Sequence, residues 1–516
     1  MHVGNARTGL FSWLFARHAG GAFVLRIEDT DANRVTDDAI EVLIGSLRWL
    51  GIDWDEGPGV EGPHGPYRQT ERANTYREAA EGLLVAGHAY RCYCMPEELE
   101  TRRKQALAEG RPPGYDGRCK TLTQAEHATF ETEGRPFALR FAMPESAFTV
   151  HDLVRGDVEF AADSTSDFVL LRSDGSPTYM LAAPLDDHLM EMTHVIRGED
   201  LLPSTPGQMA LIKALGATPP AYAHLPLIVG PDHAPLSKRH GAVSVESFRE
   251  RGYLADALMN YLALLGWSKD GSTTFMSKGE LVAAFDIARV ARNPAAFDTE
   301  KLQWMNLHYL QQLPAEELAA RMLPFFGEQV IAVDTALLVR AVPLVNERMR
   351  LLPEGVELLG FLFTDDVAPN EKARALIARA PEGYLARAAG ELEALPAWTH
   401  EAVAAALRGG DFGWAQPHEG LATGPRRRDR EQYLAPAAGI AGVAGSRADG
   451  CSRPRRYCPI VSRRICAESS GATVLMPIPE PSSNPAGEVS FGMILMCQRK
   501  IPSGWPLCGA EYTTRL

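Results

Sequence analysis

The chain has 516 residues, 45% of them apolar and 23% charged; that is too long for one hydrophobic core and too apolar for a disordered chain, so two to four globular domains are expected. No apolar run reaches the roughly 18 residues of a membrane span, and no basic segment leading into an apolar stretch opens the sequence, so a cytoplasmic location with no membrane partner is expected. The net charge of −13 is uneven, +6 from Leu421 onward and −19 before it, so a polyanionic partner would need local basic patches and would bind with a steep salt dependence.

Residues 8–18 have helical spacing and exit through Gly20-Gly21, a helix-stop signal. Residues 22–27 read as a buried strand and 37–50 as a second helix stopped by Gly51, a rhythm that suits a parallel sheet. Over 91–166 three cysteines, a Gly/Pro-rich turn at 110–117 and short strand-like runs predict an inserted subdomain. Residues 168–172, 178–181, 194–197 and 225–229 read as strands, and 205–215 as a helix. From Val245 the pattern turns helical, over 255–265, 278–285, 315–325 and 330–348, with Ser277 and Glu280 as a capping box. After about Leu421, Arg426-Arg427-Arg428, five cysteines and scattered Pro and Gly show no periodicity, and no function is read there.

Two distant segments carry candidate chemistry. His2-Val3-Gly4-Asn5 puts an imidazole and a glycine where a helix begins. The glycine lets backbone approach a ligand, the helix N-terminus favours phosphate, and the imidazole can follow charge as it shifts during attack. Leu236-Ser237-Lys238-Arg239-His240-Gly241 puts a hydroxyl and two cations on a glycine-flanked loop, suited to a leaving pyrophosphate. Alone, the first is an ordinary chain terminus and the second a solvated basic turn; together they make a two-sided clamp for a triphosphate. Three polar clusters, Glu28-Asp29-Thr30-Asp31 after Leu25-Arg26-Ile27, Asp186-Asp187-His188 and Arg197-Gly198-Glu199-Asp200, read as strand ends, where open parallel sheets bind ligands. Cys92-Tyr93-Cys94 with Cys119 nearby suggests metal more than a disulfide.

These segments, with Tyr67-Arg68-Gln69-Thr70-Glu71-Arg72 and Leu201-Leu202-Pro203-Ser204-Thr205-Pro206, resemble the bacterial glutamyl-tRNA synthetases, class I aminoacyl-tRNA synthetases, in family order from residue 1 to about 420. The resemblance implies an α/β Rossmann-type catalytic domain with an inserted acceptor-binding subdomain, followed by an all-α anticodon-binding region. The corresponding divisions are 1–90 and 167–244 for the catalytic halves, 91–166 for the insertion, 245–308 for a stem-contacting segment, 309–420 for the anticodon-binding region and 421–516 for an atypical tail.

The implied activity is glutamate–tRNA ligation. L-glutamate, ATP with Mg2+ and tRNA-Glu are the expected ligands, and a monomer the expected state. By resemblance His2, Gly4, Asn5, Asp200, Leu236, Lys238 and Arg239 bind ATP, with His2, Ser237 and Lys238 catalytic. Glu28 meets the substrate ammonium, while Tyr179 and Arg197 orient its carboxylates; an arginine fork suits that task. Cys92, Cys94, Cys119 and Tyr115 resemble the zinc-binding insertion of some members, with Thr121 where others carry a histidine; three reduced structural cysteines are the other reading.

Three departures accompany the resemblance. The family opens with a strand and an Arg-Phe-Ala-Pro-Ser-Pro-Thr-Gly-like turn ahead of the His2 signature, so a misassigned start or a fragment is expected. Pro235 stands where the loop usually has its first lysine. The tail after Leu421 does not resemble the family's closing helices, as a reading-frame error would produce. Two other functions stay open: an enzyme that also charges tRNA-Gln, and a catalytically impaired tRNA-binding remnant.

Overall fold

The computed structural model describes residues 1–30, 36–110, 114–237, 239, 241–327, 333–364, 369, 371–380, 382–397, 399–409 and 495–498. The first helix, α1 (Val3–Ala19), starts five residues earlier than its apolar spacing predicts, because His2 caps it: its backbone is extended and its Nδ1 accepts the N–H of Gly4. Gly20 ends the helix at φ 66°, a left-handed conformation that costs glycine little. Strand β1 (Ala22–Leu25) and helix α2 (Asp37–Trp49), capped by Thr36, follow as expected. Next come α3 (Ala73–Val85), β2 (Ala89–Cys92), α4 (Pro96–Ala108), α5 (Gln124–Thr132), β3 (Ala138–Phe141), β4 (Phe148–Asp152), β5 (Gly156–Phe160) and β6 (Phe168–Leu171). The catalytic-type pattern then resumes with α6 (Tyr179–Leu189), β7 (Met192–Gly198), α7 (Thr205–Ala214), β8 (Ala221–Leu225) and β9 (Ile228–Val229). Helices α8 (Val245–Glu250), α9 (Ala255–Leu264) and α10 (Lys278–Ala284), and strand β10 (Ala295–Ala296), lead to α11 (Thr299–Gln312). Beyond it lie α12 (Ala315–Met322), α13 (Thr335–Ala341), α14 (Leu352–Leu359), α15 (Glu371–Ala378), α16 (Tyr384–Glu393) and α17 (His400–Gly409), and last β11 (Leu495–Gln498).

The described residues form two compact units. One holds Met1–Phe248, Ala255–Thr299 and β11; the other holds Arg249–Leu254 and residues 300–409. The first is built on a six-stranded sheet in the order β1-β11-β7-β8-β4-β5. Strand β8 pairs parallel with both β7 and β4, β5 pairs antiparallel with β4, and β11 stands antiparallel between β1 and β7. A separate antiparallel sheet, β2-β3-β6, packs Leu139, Phe141, Leu170 and Leu171 against α3, α6 and α7 through Tyr76, Leu83, Leu181, Leu185 and Leu211. In the second unit among the described residues every element is helical.

Several expectations are corrected. Residues 178–181 are not a strand but the start of α6: the Thr178 carbonyl accepts the N–H groups of Leu181 and Ala182. Asp186-Asp187-His188 therefore lies inside a helix rather than at a strand end. The run 225–229 breaks into β8 and β9 around Pro226, which has no N–H for the ladder. The helix expected over 330–348 shortens to α13, because Asp334 caps it at Leu337 and a 3-10 turn over Val342–Leu344 holds Pro343; residues 330–332 lie outside the described set. Strands β4 and β5, which fall in the span 91–166 expected to be an insertion, belong to the large sheet, while β6, expected in the second catalytic half, joins the small one. Apart from β11, the tail from Leu421 lies outside the described residues.

Candidate active site

Where β1 ends, charge goes underground. Arg26 is 1% exposed, and its guanidinium donates to Glu28 Oε1 (2.7 Å) and Asp187 Oδ1 (2.9 Å). Asp186 receives Arg72 Nε (2.7 Å), Gln69 Nε2 (2.9 Å) and the Tyr76 hydroxyl (2.7 Å). Helix α6 can bring two adjacent aspartates into the interior because each meets an arginine; unpaired, either would be prohibitively costly. Glu28 is the poorly compensated member. Its Oε2 is buried without a hydrogen-bond partner among the described residues, and burial pushes its carboxyl up to about 7, against the pull of Arg26. Burial likewise raises Asp187 to about 6. A buried, half-satisfied carboxyl suits an incoming cation.

Arg197 closes β7 facing this cluster. Its Nη1 donates to the Tyr179 hydroxyl (3.1 Å) and Gln208 Oε1 (2.7 Å), its Nη2 to Thr205 Oγ1 (2.8 Å) and the Leu201 carbonyl (3.3 Å), and its Nε to His224 Nε2 (3.0 Å). Burial raises the Tyr179 hydroxyl, with Arg197 opposing and the charges of Glu28 and Asp187 adding to the rise. Glu28, Tyr179 and Arg197, paired from the sequence as an ammonium and carboxylate site, thus sit within electrostatic reach of one another.

The residues assigned to ATP lie along a second line. His2, Gly4 and Asn5 occupy the first turn of α1 and its cap. With Nδ1 accepting from Gly4 at 3.0 Å, a neutral His2 carries its proton on Nε2, as a donor. One turn on, buried Arg7 donates to the carbonyls of Pro226 and Leu265. The next residue, Leu227, donates its N–H to Glu199 Oε1 (2.9 Å), beside Asp200, and Ile228 accepts the N–H of Leu236 (3.0 Å). His2 also forms an isolated bridge with Ser244, beyond the cationic loop. Arg239 is exposed and pairs with Asp232 (3.1 Å). Ser237 is described and half-buried, whereas Lys238 and His240, and Asp31 of the first cluster, lie outside the described residues.

Cys92 ends β2, and Cys119 rides a 3-10 turn over Arg118–Thr121. The sulfurs of Cys92, Cys94 and Cys119 all lie within 4.8 Å of one another, with Cys94 and Cys119 3.6 Å apart. Four tetrahedral zinc bonds of about 2.3 Å separate sulfurs by about 3.8 Å, so the spacing fits. The Tyr115 hydroxyl lies 3.4 Å from Cys92 Sγ and 3.7 Å from Cys94 Sγ.

Sequence reading missed the supports: Arg7, Asp152, Thr205, Gln208 and His224. Only Thr205 stood in a quoted motif. A buried histidine inside the apolar strand β8 was the one local signal of the rest.

A Rossmann-like α/β unit followed along the chain by an all-helical unit is the architecture of class I synthetases. The family model for class I tRNA synthetases (E and Q), catalytic domain, matches residues 1–304, and one for an anticodon binding domain matches 317–409. The chain belongs to this family of class I tRNA synthetases. It is 46% identical over 379 residues to the glutamate–tRNA ligase of Moorella thermoacetica, spanning 72% of this chain and 77% of that one. It is 45% identical over 408 residues to that of Dehalococcoides mccartyi, spanning 77% and 82%. A crystal structure of a glutamate tRNA ligase from Elizabethkingia meningosepticum in complex with its amino acid superposes with a TM-score of 0.71 at 30% identity, covering 86% of this chain and 96% of that one.

Proposed function

We propose that the protein is a glutamate–tRNA ligase. The observation that carries this, beside family membership, is the buried juxtaposition of an orphaned carboxylate oxygen on Glu28 with the Tyr179–Arg197 pair. Such a pocket matches a zwitterion bearing an extra carboxylate. Glu28 takes the ammonium, and Arg197 with Tyr179 takes a carboxylate.

A substrate carboxylate oxygen then attacks the α-phosphorus of ATP and pyrophosphate leaves, giving glutamyl-adenylate. A ribose hydroxyl at the tRNA-Glu 3′ end attacks the acyl carbon and AMP leaves. His2 donates from Nε2 to phosphate oxygen, Gly4 and Asn5 present the start of α1 to the nucleotide, and Asp200 and Leu236 bound its other side. Lys238 and Arg239 neutralise the departing pyrophosphate, and the Ser237 hydroxyl donates a hydrogen bond to it. Magnesium bound with the nucleotide would supply shielding of its phosphate charge.

Cys92, Cys94, Cys119 and Tyr115 would hold a structural zinc, which would tie the end of β2 to the 3-10 turn carrying Cys119 without joining the chemistry. The enzyme acts as a cytoplasmic monomer. No helix among the described residues is long and apolar enough to cross a membrane.

The test is glutamate-dependent ATP–pyrophosphate exchange by the full chain with tRNA-Glu present. Glutamate-dependent exchange supports the reading; absence of exchange at saturating substrates opposes it. Lys238→Ala should slow the exchange by about 2–4 kcal/mol of transition-state stabilisation, and an unchanged rate would remove Lys238 from the chemistry.

A further inference from the structure

Behind Arg197 lies a buried chain of polar groups with no part in the reaction described so far. Asp152, at the end of β4, and His224, in β8, both have fully buried side chains, and His224 Nδ1 lies 2.6 Å from Asp152 Oδ2. The other ring nitrogen, Nε2, faces Arg197 Nε at 3.0 Å and Thr205 Oγ1 at 3.2 Å. An arginine Nε–H can only donate, and an ionised carboxylate can only accept. His224 is therefore neutral, with its proton on Nδ1 and its lone pair on Nε2. The titration directions agree: burial lowers His224, and the hydrogen bond from His224 holds Asp152 down against the effect of burial.

The carboxylate itself cannot turn. Asp152 Oδ1 accepts the N–H groups of Val154 (2.9 Å) and Arg155 (2.8 Å), and Oδ2 accepts the N–H of His224 (3.0 Å) as well as its ring.

We propose that Asp152 and His224 are positioning residues for recognition of the substrate carboxylate. Asp152 locks the His224 proton on Nδ1, so that Nε2 remains an acceptor for Arg197 Nε–H and fixes the plane of the guanidinium fork. This rests on the reading of Arg197 as the carboxylate-binding residue. Gln208, Thr205 and Leu201 hold the two outer nitrogens, but His224 alone holds Nε. A mis-set acceptor there rotates the whole fork, including the Nη1 that meets Tyr179.

Asp152→Asn makes the discriminating change. The N–H groups of Val154 and Arg155 keep the amide oxygen at the Oδ1 position, where the His224 N–H also reaches it (3.2 Å), so the amide NH2 faces the ring at Oδ2. It donates to Nδ1, the ring proton moves to Nε2, and that N–H then opposes Arg197 Nε–H. Steady-state exchange should show KM for glutamate raised about 10- to 100-fold with KM for ATP nearly unchanged, the cost of losing a hydrogen bond to a charged group. In protein labelled with 15N-histidine, the His224 ring signals should report the proton on Nδ1 in the parent and on Nε2 in the variant.

His224→Gln and His224→Phe guard against a folding defect at Asp152. A glutamine oxygen can accept from Arg197 whatever residue 152 presents, so His224→Gln should hold glutamate KM within a few-fold, and combining it with Asp152→Asn should recover most of the loss. His224→Phe, which fills the space but offers no acceptor, should not. Equal effects of Gln and Phe, equal rises in both KM values for Asp152→Asn, or an Nε2 proton in the parent would each overturn the proposal. Arg197→Gln separates the two readings: unchanged glutamate KM there defeats the carboxylate assignment, while the ring-proton measurement still judges the relay by itself.

Discussion

With Glu28 as the proposed ammonium partner, the glutamate site should be titratable. Its carboxyl, pushed up to about 7 by burial despite Arg26, is ionised in the range where synthetases are assayed but not far below it. On the proposed reading the substrate ammonium would bind only the ionised form. From pH 8 to pH 6 that form falls from about nine-tenths to about one-tenth of the free enzyme, so KM for glutamate should rise about tenfold while KM for ATP stays flat. The assay is tRNA-dependent pyrophosphate exchange at half-unit pH steps. Glu28→Gln should raise KM at pH 8 by about 2–4 kcal/mol, the cost of an unpaired buried ammonium, and flatten the profile. Stability should move the opposite way. Because the folded carboxyl titrates above its ordinary value, the native state holds the proton more tightly, and stability falls as pH climbs from about 4.5 to about 7. The loss, at most about 3 kcal/mol, is complete above that window. Glu28→Gln keeps the neutral form, so above pH 7 it should unfold at higher urea than the parent. Asp187, raised to about 6, adds a shallower limb of the same sign below the main one. A glutamate KM that is level from pH 6 to 8, or a dependence that survives unchanged in Glu28→Gln, would refute the reasoning.

Other perturbations separate local chemistry from fold. A Cβ added at Gly4 would stand 3.1 Å from His2 Nδ1, so Gly4→Ala must shift the imidazole by a few tenths of an ångström; turnover in exchange should drop about tenfold, while thermal stability holds or rises because alanine favours the helix. Gly198 has φ −65°, which any residue adopts, but an added Cβ would overlap Asp200 Oδ1. Gly198→Ala should therefore raise KM for ATP by about 1–2 kcal/mol through the displaced carboxylate, and an unchanged KM would take Asp200 out of the nucleotide site. Purified protein should carry about one zinc per chain by atomic emission, and Cys119→Ser should carry much less; a parent below about 0.3 equivalents argues for three reduced cysteines instead.

What the sequence made legible, and what it hid, follows from the range of the interaction that defines each residue. His2 and Gly4 announce a helix start, Ser277 and Glu280 announce a cap, and Cys92 and Cys94 sit two apart where β2 ends; all are local relations, and the structure keeps them. Residues 178–181 looked like a strand because four residues cannot show a helical period, and the decision came from Leu181 and Leu185 packing on Leu170 and Leu171. Asp186 and Asp187 were visible as chemistry but misplaced, since two adjacent acids inside an apolar helix make sense only once Arg26 and Arg72 arrive from far away in sequence. His224 was hidden most thoroughly. Nothing within its strand distinguishes it from a buried histidine of no consequence, and its meaning comes from Asp152, 72 residues earlier, and Arg197, 27 residues earlier. Motifs thus expose the groups proposed to touch substrate through turns and caps, whereas the groups proposed to aim them are defined by pairings across the sheet. Parallel pairing of β8 with both β4 and β7 is what sets Asp152 and Arg197 on either side of one imidazole, so the aim of the arginine is a property of strand order rather than of any segment of sequence.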